Sequence, residues 1–357
     1  MWSKEKAWQW YLSKPWIRGC NFLPSDCCSR LELWQELDFE KHLETSKREL
    51  KLAASIGYNS IRMILQFEVW DQQHDGFMER FERFISAAAE QGLSLMIVFA
   101  NDCTVPKEWY RPMKLGPQHF DLGYHGGLKR SPHSGQRESV GYNSVLDELD
   151  TAERFFKMVR EIIGRYARDK RILMWDLFNE PGNGNRGEIS VPHVRRIFEE
   201  ARNIAPDQPL TSCRWQGNPS DNLAAELSDI VSFHAYGNLE VQVGIIAKLR
   251  KFGRPMLNTE WLHRLFKCNV SECFPLFFLE RIGCYNWGLV AGKSQTYEPW
   301  DLMWSEFEKD PEHCGFDFTK WQHDLFRPNL RPYDPHETNL IRRICTLADQ
   351  TYPDKDK

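Results

Sequence analysis

Little separates the two signs of charge in this sequence. Against 46 lysines and arginines stand 50 aspartates and glutamates, a formal net charge of −4 over 357 residues. That balance excludes a global field for nucleic acid or for an anionic membrane surface. Long apolar runs are also missing. The longest, such as Leu93 to Ala100, fall far short of a bilayer span. The opening Met1-Trp2-Ser3-Lys4-Glu5-Lys6-Ala7-Trp8 carries charge where a secretory signal would have an apolar centre, so a cytoplasmic location is the expectation. The ten cysteines, at 20, 27, 28, 103, 213, 268, 273, 284, 314 and 345, include no Cys-x-x-Cys pair and no zinc-like spacing. They read as buried free thiols of a reducing compartment. No repeat, low-complexity tract or linker divides the chain, and one domain over residues 1–357 is expected.

What the chain does have is a globular balance, 41% hydrophobic against 27% charged, and 14 tryptophans. Indole rings fill cores, but they also stack on the flat apolar faces of sugars. Short apolar runs alternate with amphipathic stretches along the whole sequence. The runs are Trp16–Leu23, Ser60–Leu65, Ser94–Ala100, Ile172–Phe178, Pro209–Cys213, Ile230–Phe233, Pro255–Thr259 and Gly283–Trp287. Most are continuously apolar, as strands covered on both faces are. Between them, residues 153–168 place Phe155, Val159, Ile162, Ile163 and Tyr166 on one helical face. Residues 39–56, 77–91, 192–204, 239–252, 271–282 and 335–348 read as further helices, with Gly57 and Gly92 closing two of them. Alternation of this kind predicts an α/β fold, a (β/α)8 TIM barrel with long loops after strands 3 and 8. A doubly wound open sheet is the alternative.

In a barrel of this kind, functional side chains sit just past the carboxyl ends of the strands. Asn179-Glu180-Pro181 follows the fourth run, and Glu260-Trp261 follows the seventh. His234 and Tyr236 follow the sixth, Arg62 lies in the second, and the eighth ends in Trp287. Two carboxylates facing one cavity can cleave a glycosidic bond, one protonating the leaving oxygen and the other attacking the anomeric carbon. An isolated glutamate at a strand end is more often half of an ion pair. For Glu180 and Glu260 no adjacent residue supplies such a partner.

Asn179-Glu180-Pro181, with a strand-seven Glu260 followed by an aromatic, resembles clan A glycoside hydrolases. The resemblance is strongest to glycoside hydrolase family 5, the cellulase-like retaining β-glycosidases, and it covers essentially the whole chain. It implies Glu180 as general acid/base and Glu260 as nucleophile. It further implies that Asn179 binds the sugar 2-hydroxyl, and that Tyr236 and Arg62 hold Glu260 ionised. His234 would orient the acid or sugar hydroxyls, with Trp287 as stacking floor and Asn101 and Trp109 as further substrate contacts. Arg18-Gly19-Cys20-Asn21-Phe22-Leu23-Pro24-Ser25, Glu32-Leu33-Trp34-Gln35 and Gly288-Leu289-Val290-Ala291-Gly292-Lys293-Ser294-Gln295-Thr296 resemble intracellular exo-β-mannosidases of that family. Those release mannose from mannosyl-β-1,4-N-acetylglucosamine.

About 50 residues separate Asn101 from Thr151, and about 45 separate Gly288 from Asp334. Loops of that length without secondary structure act as lids or walls. Their aromatic and basic residues (Trp109, Tyr110, His119, Tyr124, His125, Lys129 and Arg130 in the first, Trp300, Trp304 and Trp321 in the second) would close a pocket and favour exo attack. The same exposed aromatics suit self-association into a homo-oligomer. Gly182-Asn183-Gly184-Asn185-Arg186-Gly187 has the glycine spacing of a dinucleotide loop, but Glu180-Pro181 intervenes and the helix waits until Pro192. Its glycines are expected to clear substrate beside Glu180. His119, His125 and His133 lack ligand spacing, and no metal and no cofactor is expected. The expected partner is an oligosaccharide substrate, with neither nucleic acid nor membrane. An endo-acting cellulase, mannanase or xylanase, and a barrel that binds carbohydrate without cleaving it, are the alternatives.

Overall fold

The computed structural model describes residues 1–103, 114–123, 125 and 144–353. The strands are β1 (Arg18–Asn21), β2 (Ser60–Ile64), β3 (Ser94–Asn101), β4 (Ile172–Asn179), β5 (Leu210–Thr211), β6 (Cys213–Arg214), β7 (Val231–His234), β8 (Met256–Trp261) and β9 (Gly283–Asn286). All pair in parallel, in the order β5-β4-β3-β2-β1-β9-β8-β7-β6. β5 and β6 are the two halves of one stave, broken at Ser212, whose hydroxyl turns aside to donate to the Phe178 carbonyl (2.7 Å). With that stave counted once, eight strands close a (β/α)8 barrel.

The amphipathic stretches become the outer helices, among them Phe39–Ser55, His74–Glu90, Leu149–Tyr166, Val191–Ile204 and Pro335–Thr351. Each lays its apolar stripe on the barrel. Phe155, Val159, Ile162, Ile163 and Tyr166 are all buried. Gly57 and Gly92, both at positive φ, end two of these helices in Schellman turns: Gly57 N–H donates to Ala54 O, and Tyr58 N–H to Ala53 O. Five helices escape the sequence pattern: Lys4–Ser13, Arg30–Trp34, Phe67–Gln72, Pro219–Leu227 and Asp301–Lys309. The last corrects the expectation of a structureless loop after the eighth strand.

Helix Lys4–Ser13 closes the amino-terminal end of the barrel. Its Ala7 and Tyr11 pack on Ile17, Met96, Met174, Ile230, Leu257 and Tyr285, which lie in or next to the first halves of their strands. At the opposite end the described residues leave a deep cavity. All ten cysteines are free, and all but Cys103 and Cys314 are buried. Among the described residues no helix is long and apolar enough to cross a membrane.

Strand contact inside the barrel leaves no room for a side chain at Gly19. A Cβ there would stand 1.8 Å from the Ser60 carbonyl oxygen, within the β1–β2 ladder. Gly19→Ala is expected to destabilise by roughly 3 kcal/mol. Gly244→Ala, in a helix where a Cβ meets nothing within 4 Å, should stabilise by about 0.5–1 kcal/mol. Urea unfolding of the two variants checks the contrast.

Candidate active site

Strand register assembles the site. Asn21 pairs with Arg62 across β1 and β2, Asn101 with Asn179 across β3 and β4, and His234 with Glu260 across β7 and β8. An irregularity at Phe233/His234 turns the last pair toward the barrel axis. All but Arg62, which sits in the middle of β2, stand at the carboxyl ends of their strands.

Arg62 is the hub. It is fully buried and spends every arm on a named acceptor. Nε donates to Asp176 Oδ2 (2.9 Å), Nη1 to Asn21 Oδ1 (2.7 Å) and Glu260 Oε1 (2.9 Å), and Nη2 to Asn179 Oδ1 (2.7 Å). Burial works against its charge, but Asp176 and Glu260 more than offset that and hold the guanidinium above its ordinary range. Tyr236 donates its hydroxyl to Glu260 Oε2 (2.7 Å). Glu260 thus has one charged and one neutral donor, one on each oxygen.

Glu180 has a different environment. Its Oε1 lies 2.8 Å from His234 Nδ1, its Oε2 accepts from Asn183 Nδ2 (2.7 Å), and its backbone N–H donates to Cys213 Sγ (3.0 Å). Its backbone takes φ of +45°, a left-handed conformation that a side chain adopts at a cost of about 1–3 kcal/mol. His234 Nδ1 is also 3.4 Å from Glu260 Oε2, so one imidazole stands between the two carboxylates. Oxygens of Glu180 and Glu260 and a nitrogen of His234 all lie within 4.8 Å of one another. Burial lowers the His234 pKa to about 3, which makes the ring neutral at physiological pH. Burial raises that of Glu260, with the Glu180 charge adding to the rise. With His234 neutral, Arg62 and Tyr236 are the groups that favour its ionised form.

The pair opens into a cavity of about 1180 Å³. A strip of polar groups (Asn21, Asn101, Asn179, Asp324) and the rings of Trp215, Trp287 and Trp300 line it. Flat rings beside a few fixed polar groups suit a carbohydrate. The model of the cellulase family, glycosyl hydrolase family 5, matches residues 31–280. The chain belongs to glycosyl hydrolase family 5.

Solved structures agree on the fold. A family 5 subfamily 18 enzyme from Streptomyces cattleya, in complex with GlcNAc, superposes with a TM-score of 0.60 at 11% identity, over 95% of this chain and 82% of that one. A variant of it in complex with Manβ1-4GlcNAc gives 0.58 at 11% identity, over 94% and 81%. The exo-β-1,4-mannosidase from Opitutaceae bacterium strain TAV5 gives 0.58 at 15% identity, over 93% of this chain and 60% of that one. A β-glucuronidase from Paenibacillus borealis is 25% identical over 124 residues, 31% of this chain and only 20% of the relative's length.

The structure brings together Glu180, Glu260, Arg62, Asn179, His234 and Tyr236. Asn101 stands behind Asn179, taking a hydrogen bond from its Nδ2 (2.8 Å), so that amide is already partly engaged. Trp287 and Asn101 line the cavity; Trp109 lies outside the described residues, as do Tyr110, Tyr124, Lys129, Arg130 and His133. From the long loops His119, His125 and Trp300 reach the cavity. Trp304 instead packs on Phe318, and Trp321 stacks on Tyr333. The glycine-rich loop lines the cavity through Gly182, Gly184 and Gly187. Gly182 is constrained from a second side as well: a Cβ there would meet the Asn218 side chain at 2.4 Å, and its N–H donates to buried Asp102 (2.7 Å).

Sequence reasoning missed Asp176, Asn21, Asn183, Cys103, Arg30 and Trp215. Asp176 had a readable signal, a lone carboxylate inside a buried run that required a cation, and Arg62 is the matching lone cation of β2. Among the described residues one further group, Asp26, Cys27 and His42, has metal-ligand proximity. Asp26 there already shares a proton with His42 Nδ1 (2.9 Å) and accepts from Thr45 (3.0 Å), while burial pushes the Cys27 thiol far up, away from the thiolate.

The depressed His234 gives a pH test. Below about 6.5 an unfolded histidine takes up a proton that the folded ring refuses until about 3, so the unfolded state binds more protons and folding stability falls with pH across that window. Relative to His234→Asn, the wild type should lose up to about 1.4 kcal/mol per pH unit between 6.5 and 3. Chemical denaturation of both proteins at a series of pH values measures this; parallel curves would refute it.

Proposed function

We propose that the protein is a retaining β-glycosidase working by double displacement, with mannosyl-β-1,4-N-acetylglucosamine as its substrate and exo release of mannose as its action. The carrying observation is the asymmetry of two carboxylates that share one imidazole within 4.8 Å. Their proximity is that of retaining enzymes, where the groups stand roughly 5–5.5 Å apart; a water-activating, inverting pair needs more room. Arg62 and Tyr236 both bond Glu260, and neither bonds Glu180 in the described contacts. Glu260 is therefore the nucleophile and Glu180 the proton carrier.

In the first step Glu180 gives its proton to the glycosidic oxygen as Glu260 attacks the anomeric carbon. The bond to the leaving sugar breaks, and a glycosyl ester forms on Glu260. In the second step Glu180 takes a proton from water, whose oxygen attacks the same carbon and frees Glu260. His234, neutral and bonded to Glu180, holds the acid against the scissile oxygen. Asn179, anchored by Arg62 and Asn101, faces the sugar beside the nucleophile, and Trp287 offers the stacking surface. Support for the mannoside comes from the Streptomyces cattleya complex with Manβ1-4GlcNAc and from the Opitutaceae exo-mannosidase, both of which share the fold. The walls contributed by His119, His125 and Trp300 favour attack from a chain end.

Glu260→Ala should lower kcat by roughly 10⁴-fold or more, and added azide should yield an α-glycosyl azide. Glu180→Ala should lose about 10²–10⁴-fold on unactivated substrate but keep attack on aryl glycosides with good leaving groups. Normal turnover by either variant would sink the assignment. Wild-type hydrolysis followed by NMR should give the β-anomer first. A panel of mannosyl-β-1,4-N-acetylglucosamine, mannobiose, cellobiose and a mannohexaose identifies the sugar; internal cleavage of the hexaose would point to an endo-mannanase instead.

A further inference from the structure

The cavity holds a second arginine that the mechanism does not use. Arg30 follows the loop after β1 and begins the short helix Arg30–Trp34. Its side chain lines the cavity beside Cys28, Ser29 and Glu68. Arg62 has all its arms occupied, but Arg30 makes no hydrogen bond and no ion pair among the described residues. Burial lowers its pKa, with Cys103, Glu68 and Glu260 opposing the shift, which places this guanidinium in the field of the reacting pair. Cys103 in turn feels both Glu180 and Glu260. A half-buried cation with five unassigned donors, at the end of the cavity where the bond breaks, is costly to keep without a partner.

A neutral sugar does not account for it. The hydroxyls of such a sugar can be met by Asn101, Asn179, Glu68 and Asp324 along the walls, with no need of a cation. Glu68 and Glu260 act on Arg30 only through space; among the described residues no carboxylate forms an ion pair with it. The planar fork of a guanidinium fits two oxygens of one carboxylate or phosphate, and its charge is matched only by an oxyanion.

We propose that Arg30 is a specificity residue that binds an anionic substituent, a carboxylate or a phosphate ester, on the glycoside cleaved here. This rests on the retaining β-glycosidase reading and refines its substrate: the β-mannosidic linkage is kept, and the preferred form of the substrate carries an anionic substituent that the neutral disaccharide lacks.

The test uses 4-nitrophenyl β-D-mannopyranoside, its 6-phosphate and its uronate with the full chain. One of the two anionic glycosides should be cleaved at least tenfold more efficiently in kcat/KM than the neutral one, and which of them wins identifies the oxyanion. Arg30→Met should bring that ratio to near one, chiefly through KM. Arg30→Lys should restore part of it for the phosphate and less for the uronate. Preference of the wild type for the neutral glycoside over both anionic ones would overturn the proposal. So would equal losses on all three substrates with a displaced pH profile, since Arg30 would then only balance the Glu260 charge. If no glycoside is turned over, the glycosidase reading fails by itself. Quenching of tryptophan fluorescence by mannose 6-phosphate or mannuronate then decides the anion site, through Trp215, Trp287 and Trp300. Saturable quenching in the wild type that Arg30→Met abolishes supports it, and equal responses refute it.

Discussion

One buried guanidinium organises the catalytic end of this barrel. Arg62 ties Asn21 of β1, Asp176 and Asn179 of β4 and Glu260 of β8 to its own strand, β2. β1 is the neighbour of β2, but β4 and β8 are not, so those bonds cross the barrel interior. A charge placed there would be prohibitive alone; two carboxylates and two amides make it tolerable. Asp176 supplies counter-charge from below, so Arg62 can lend a full charged hydrogen bond to Glu260 above. A lysine could not serve, because a single ammonium lacks the planar spread needed to meet four acceptors in different directions.

The same logic separates two chemically identical side chains. Glu260 receives the charged donor and a phenol, while Glu180 receives an amide and a neutral imidazole. The backbone contributes as well. Glu180 takes a positive φ directly after β4, a left-handed turn that bends the chain sharply at the strand end. The closed sheet beneath it supplies the rigidity that tolerates the strain.

Much of this was legible in the order of residues. Continuous apolar runs followed by Asn-Glu or Glu-Trp mark the rim, because a carboxylate at the end of a buried strand without an adjacent partner needs an open cavity or a distant cation. The fifth run was harder to read. Pro209–Cys213 looks like one strand, and the break at Ser212 depends on a hydroxyl reaching Phe178, a tertiary contact. Asp176 hides inside an apolar run, and its meaning emerges only opposite Arg62. Arg30 sits in a polar stretch that could equally be a solvated turn; only the folded cavity distinguishes the two. The tryptophans divide between both roles considered for them. Trp16, Trp34, Trp175 and Trp261 are core, whereas Trp215, Trp287 and Trp300 face the cavity.

The helix Lys4–Ser13 lies under the barrel floor, held by Trp2 N–H to Asp229 (2.7 Å), Arg254 to the Trp2 carbonyl (2.8 Å) and Tyr11 to the Arg281 carbonyl (2.8 Å). The chain's first residues are thereby anchored on the side facing away from the mouth. A bead, fluorophore or surface tether joined at that end would leave the entrance unobstructed and point it outward.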